Sequence, residues 1–184
     1  MNKNNILMCI IGIGSIISSA YAGSACQSYP GSYICDNGVT NSIHGTYGSI
    51  ILKNMQIDGD IKATAGSLNI TKSHINNIDG QYGSIVIEDS SLSGKLAGVI
   101  GEIYISNSSL DEDTNIVTPS VVLKTTHAKN LFITNTEKKI KLKIINNSVI
   151  NGNITFDTKP GEICIDSNSV IHGQIINGDI VKGC

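Results

Sequence analysis

The chain has 184 residues, a formal net charge of −2, and no arginine among its 13 basic residues. That length suits one domain with a sizeable core. The near-neutral charge and the missing guanidinium argue against nucleic acid as a partner, because bidentate recognition of phosphate and base edges relies on arginine.

Residues 1–22 read as a secretory signal peptide. Lys3 gives a positive start, Ile6 to Ile17 form an apolar run short for a membrane span, and Ala20-Tyr21-Ala22 is a small-x-small cleavage site before Gly23. A lipoprotein reading of Cys26 is disfavoured, because Gly23-Ser24-Ala25-Cys26 lacks a leucine-like residue three places before the cysteine. No second apolar stretch of membrane length follows, so no transmembrane span is expected after cleavage. Export to the periplasm, the outer surface or the medium follows as the expected location. Cys9 leaves with the signal, and Cys26, Cys35, Cys164 and Cys184 remain as an even set in an oxidising compartment.

Residues 23–48 read as an N-terminal cap with a first rung, and 49–184 as a repeat domain closed by a C-terminal disulfide cap. The repeat is a unit of about eighteen residues. Ser49-Ile50-Ile51-Leu52 returns as Ser67-Leu68-Asn69-Ile70, Ser84-Ile85-Val86-Ile87 and Glu102-Ile103-Tyr104-Ile105, each preceded by a glycine, namely Gly48, Gly66, Gly83 and Gly101. Alternating apolar residues predict strands with one buried face. A further apolar residue follows at Ile57, Ile75, Leu92 and Leu110. A glycine then leads into a second short strand in Ile57-Asp58-Gly59-Asp60-Ile61 and Leu92-Ser93-Gly94-Lys95-Leu96. The phrase recurs at Ile150-Asn151-Gly152 and Ile171-His172-Gly173, with Ile43-His44-Gly45 as its expected first copy. Val121 to Leu131 is the least regular stretch, with Thr125-Thr126-His127 in a corner. The units starting at Ile140 or Leu142 and at Ile163 are longer, which longer corners explain without a new domain.

Stacking such units buries the inward isoleucines, leucines and valines as ladders while neighbouring rungs satisfy each other's backbone. The expected fold is all-β, a right-handed parallel β-helix of seven to eight rungs with its ends stapled by disulfides. A left-handed coil of three hexapeptides has a similar length. It places aliphatics every six residues, and the offsets here favour the right-handed form. Asparagine, abundant in the chain, suits the corners, where the backbone visits left-handed geometry.

The coil also orders the cysteines. The isoleucines of Glu162-Ile163-Cys164-Ile165 face inward, so Cys164 faces out, and Cys184 comes about one long turn later. Strands about 4.8 Å apart are compatible with a disulfide. Cys26 and Cys35 close a small loop before the first clear rung. Joining an N-terminal to a C-terminal cysteine would bridge roughly 30–40 Å of stacked strands. The expected pairs are Cys26–Cys35 and Cys164–Cys184.

In its repeat grammar, from Ile57-Asp58-Gly59-Asp60-Ile61 through Ser84-Ile85-Val86-Ile87 to Leu96, the chain resembles the right-handed β-helices of bactofilin-type polymer-forming proteins. It is similar, less specifically, to pectin-lyase-type β-helices. The resemblance covers roughly residues 40–110 and 140–181. The signal peptide and the cysteines depart from the cytoplasmic bactofilin pattern.

Pectin-lyase-like folds host polysaccharide enzymes that carry acidic residues on one outer face. The dense acidic cluster here, Asp111-Glu112-Asp113, lacks the spacing and glycine of an EF-hand loop and reads as a solvated corner. His44 and His172 are expected in one interchangeable, solvent-facing slot of the repeat, at opposite ends of the stack. No catalytic residue, metal site or cofactor is assigned. Lys139, Lys141 and Lys143 alternate with Ile140, Leu142 and Ile144 and form a candidate anion-binding stripe, against the plainer reading of gatekeeper lysines on an apolar strand. Outward Ile51, Val86 and Tyr104 form a partly apolar strip that points to a partner or self-association. The expected function is an exported bacterial structural or binding module, adhesin-like or an envelope scaffold, meeting an envelope glycan or protein. The alternative is a carbohydrate-active lyase or hydrolase on the same scaffold.

Overall fold

The computed structural model describes residues 17–20, 25–45, 48–64, 66–80, 83–97, 101–134 and 139–181. They form an all-β parallel solenoid of about eight turns. The chain opens with β1 (Ile17–Ala20), β2 (Ala25–Tyr29), β3 (Ser32–Gly45) and β4 (Ser49–Ala63). From β3 onward every paired strand runs parallel to its neighbour in the next rung.

Inward residues stack in register along three walls. On the first wall Tyr33, Ile50, Leu68, Ile85, Ile103, Val121, Leu142 and Ile163 make one ladder. Two residues on, Cys35, Leu52, Ile70, Ile87, Ile105, Leu123 and Ile144 make another. The second wall carries Ile57, Ile75, Leu92, Leu110, Ala128 and Ile150. The third begins with Ile43, Ile61, Ile78 and Leu96 and continues through Thr114, Leu131 and Ile154. All are buried. At about 1.5–3 kcal/mol for each fully buried Ile or Leu side chain, these ladders dominate the favourable side of folding. The strand spacing read from the sequence therefore holds. So does the lengthening of the coil, since the ladder steps from Val121 to Leu142 and from Leu142 to Ile163.

Two backbone devices turn the chain. A glycine column, Gly31, Gly48, Gly66 and Gly83, has positive φ before the first-wall strand. The rungs approach so closely there that a Cβ on Gly66 would lie 1.8 Å from the carbonyl oxygen of Gly48. The opposite end of that strand turns at a single left-handed residue in successive rungs, Asn37, Asn54, Lys72, Asp89, Asn107 and Thr125, with φ between 48° and 56°. Asparagine tolerates this region best and fills half of these six positions.

The N-terminal end is capped. β2 pairs antiparallel with the start of β3, placing Cys26 directly opposite Cys35, and the two form a disulfide. Cys35 is not in a loop ahead of the first rung, as the sequence suggested. It is an inward, fully buried residue of that rung, stacked on Leu52. β1, within the expected signal peptide, pairs antiparallel with the later part of β3; the remaining residues of 1–22 lie outside the described residues.

One further placement differs from the sequence reading. Ile43-His44-Gly45 is not the first copy of the Ile57-Asp58-Gly59 phrase. Thr40 stacks on Ile57, and His44 stacks on Lys62 in the next wall along. The counterpart of Ile57 is Thr40, three residues before Ile43, and Ile43 stacks instead on Ile61. His44 and His172 therefore occupy different slots, and His172 follows Ile171, which stacks on Ile150. At the other end, Cys164 faces outward as expected but is stacked on Val181. It is not a free thiol; its expected partner, Cys184, lies outside the described residues.

Candidate functional site

The left-handed corner produces an open concavity on the surface. In each rung the corner residue is exposed, the next is buried or half-buried, and the one after points out again. Repetition turns this into an open groove of about 1060 Å³ parallel to the solenoid axis. One wall is the left-handed column itself, from Asn37 to Thr125. The other is Val39, Gln56, His74, Ser91, Ser109 and His127. Gly38, Met55, Ser73, Ser90 and Ser108 line the floor.

The floor is a hydrogen-bonded hydroxyl ladder. The backbone N–H groups of Met55, Ser73 and Ser90 donate to the hydroxyls of Ser73, Ser90 and Ser108 one rung on, at 3.0, 3.0 and 3.1 Å. Each hydroxyl in turn donates to a carbonyl two residues back, Thr71, Glu88 and Ser106, at 2.9, 2.6 and 2.6 Å. Thr126, Ser148 and Ser169 extend the ladder beyond the groove. The corner would otherwise leave buried amides unpaired, and serine is the smallest residue that can satisfy them.

The walls are polar and paired along the axis. Asn54 Nδ2 donates to Asp36 Oδ1 at 3.4 Å and Asn107 Nδ2 to Asp89 Oδ1 at 3.2 Å. His74 Nδ1 lies 2.6 Å from Ser91 Oγ. Lys72 and Asp89 stand in adjacent rungs of one wall, so the groove has little net charge. Sequence reasoning missed this site. Ser73, Ser90 and Ser108 each follow the left-handed residue at one-turn spacing, and that recurrence was the available signal.

The lysine stripe lies elsewhere, on the outward side of the strand Ile140–Ile145. Lys139 and Lys141 are exposed and Lys143 half-buried. Glu162 divides the stripe. It stacks on Lys141, and its Oε1 lies 2.7 Å from Lys139 Nζ. The hydrogen bond from Lys139, then the charges of Lys139 and Lys141, hold its carboxyl below the usual value of 4.5. Asp111, Glu112 and Asp113 are exposed, with Glu112 3.8 Å from Lys129 Nζ and Asp113 accepting from Asn130 Nδ2 at 2.8 Å. Among the described residues no three His, Cys, Asp or Glu side chains are grouped so as to hold a metal ion.

Outward Ile51 and Val86, with Asn69 between them, continue into Tyr104 and Val122 as a ladder of half-buried side chains. No helix among the described residues is long and apolar enough to cross a membrane. No family model, curated protein or solved structure matches the chain.

Proposed function

We propose that this chain is an exported bacterial structural or binding module, adhesin-like or an envelope scaffold, built on a right-handed parallel β-helix and without catalysis of its own. The observation that carries the reading is the outward ladder of the first wall. Ile34, Ile51, Val86, Tyr104 and Val122 are partly exposed and in register, interrupted only by Asn69. A flat, partly apolar strip on a rigid sheet suits a protein partner or a second copy of the chain. Among the described residues no cluster of carboxylates converges, which weighs against a glycosidase or lyase.

The test is chemical cross-linking and pull-down from envelope extract with the mature chain, beside the double variant Ile51→Glu, Val86→Glu. The expected result is a specific partner, or a homodimer, that the variant loses while keeping its strand content. Robust release of reducing ends from a polysaccharide panel would overturn the reading in favour of a carbohydrate-active enzyme.

A further inference from the structure

We propose that the corner groove binds a linear, uncharged polysaccharide lying parallel to the solenoid axis. The proposal deepens the binding reading above, and rests on it, by giving the module a ligand class and a second face.

Geometry fixes the shape of the ligand. The left-handed wall from Asn37 to Thr125 repeats once per rung over six rungs. At about 4.8 Å per rung it runs for roughly 24 Å. A ligand filling it is extended, and an open groove admits a long chain from the side.

Chemistry narrows the class. An extended peptide is bound through a free sheet edge, an apolar groove, aromatic shelves or an arginine cluster. The backbone here is consumed between rungs, with Ser91, Ser109 and His127 donating to Ser73, Ser90 and Ser108 carbonyls at 3.0 Å each. The lining contains no Phe, Tyr or Trp and no arginine. The same two absences disfavour single-stranded nucleic acid, which stacks on aromatic rings in a basic channel. An acidic polymer meets Asp89 beside Lys72, with Glu88 adjacent, and gains no net attraction. What the walls offer is amide, hydroxyl and imidazole groups at regular spacing, from Asn54, Gln56, His74, Ser91, Asn107 and Ser109. Those groups donate and accept in the way a row of sugar hydroxyls requires. The floor hydroxyls are already engaged with the backbone, and the wall amides of Asn54, Gln56 and Asn107 each spend one N–H on a neighbouring carboxylate, so recognition falls to the second N–H and the carbonyl oxygen of those amides.

The experiment is NMR titration of the mature chain with hexasaccharides of β-1,4-linked glucose, N-acetylglucosamine, mannose and xylose, with hexagalacturonate as the charged comparison. The expected result is saturable shifts at groove residues with at least one uncharged hexasaccharide, weaker with its disaccharide. The double variant Asn54→Gly, Asn107→Gly keeps the left-handed backbone and removes two wall amides, and should weaken binding about tenfold or more. Its melting temperature and spectrum outside the groove report whether it folds. A single variant, Gln56→Ala, off the left-handed column, gives the same reading if the double variant does not fold. Three results would overturn the proposal: no binding of any uncharged hexasaccharide, shifts located outside the groove, or preferential binding of hexagalacturonate that disappears when Lys139, Lys141 and Lys143 are replaced by Gln. A protein captured through the Ile51 and Val86 face, with no sugar bound, would overturn this proposal and leave the broader reading standing.

Discussion

The hydroxyl of Ser90 accepts the backbone N–H of Ser73, one rung earlier, at 3.0 Å. Ser90 is buried, and its own proton goes to the Glu88 carbonyl at 2.6 Å. Replacing it with alanine leaves the buried Ser73 amide without a partner, a loss of about 1–3 kcal/mol, while the Glu88 carbonyl keeps the Lys72 N–H at 3.0 Å. Ser90→Thr should cost far less, because Thr126 already fills the equivalent position of another rung with its hydroxyl donating to the Lys124 carbonyl at 2.9 Å. Urea denaturation of both variants checks the order. Equal stability of Ser90→Ala and the parent chain would show that the ladder contributes nothing.

The glycine column makes a second contrast. At Gly66, φ is +113° and an added Cβ would lie 1.8 Å from the Gly48 carbonyl oxygen. At Gly31, φ is +79° but no heavy atom lies within 4 Å of the same position. Gly31→Ala therefore carries only the backbone cost, about 1–3 kcal/mol. Gly66→Ala adds a collision of backbone with backbone that side-chain rotation cannot relieve. The expected outcome is a soluble, somewhat destabilised Gly31→Ala and a Gly66→Ala that fails to fold or loses the rungs around it, read by circular dichroism and limited proteolysis.

These two cases mark how far the sequence could be read. Ile50, Leu68, Ile85 and Ile103 revealed the first wall because the alternation of a strand and the period of the coil coincide in them. Gly48, Gly66 and Gly83 were visible as a column for the same reason. The position of His44 was misread because Ile43-His44-Gly45 imitates Ile57-Asp58-Gly59, whereas the true counterpart, Thr40-Asn41-Ser42, carries neither the isoleucine nor the glycine. Ser73, Ser90 and Ser108 were invisible as a buried ladder, since a serine beside a polar corner looks like solvent-facing surface until the fold turns it inward. The groove depends on that inward turn, and so it too had to wait for the structure.

Acid should loosen the C-terminal rungs through Asp166. Hydrogen bonds from the Ser169 side chain and the Asn146 amide hold its carboxyl below the ordinary value of 3.8, and Asn146 N lies 2.7 Å from Oδ2. A depressed folded-state pKa contributes stability above the unfolded pKa and loses it as pH falls through the folded one. The window therefore opens below about pH 4. The Asn146 amide shift should titrate in that range, and Asp166→Asn should abolish the titration. Identical Asn146 profiles in the two proteins would remove Asp166 as its cause.

The lysine stripe has a sharper test than neutralising the lysines. Glu162 stacks on Lys141 and bonds Lys139. Glu162→Gln removes its charge and releases Lys139. If the stripe is an anion site held in check by Glu162, retention on heparin should rise in the variant and fall when Lys139, Lys141 and Lys143 become Gln. Retention unchanged in both leaves these lysines as protection for an apolar strand.

The two ends of the solenoid differ, and the difference predicts association. At the N-terminal end β2 covers the first rung and the Cys26–Cys35 disulfide holds it there. At the other, Ile180 belongs to the inward ladder whose previous member, Ile163, is fully buried, yet Ile180 is 58% exposed. Ile176 and Val170 in the same rung are also exposed. With Ile180, Ile176 and Val170 exposed together, the chain should self-associate through this face as its concentration rises. Ile180→Lys should weaken that association about tenfold or more, since a buried lysine at the contact would be desolvated without a partner. Sedimentation velocity across a concentration series distinguishes the outcomes. A parent chain that stays monomeric throughout, or a variant that associates as strongly, would show that this rung is not the contact. Retained association in Ile180→Lys that is lost in Ile51→Glu, Val86→Glu would move the contact to the outward strip of the first wall.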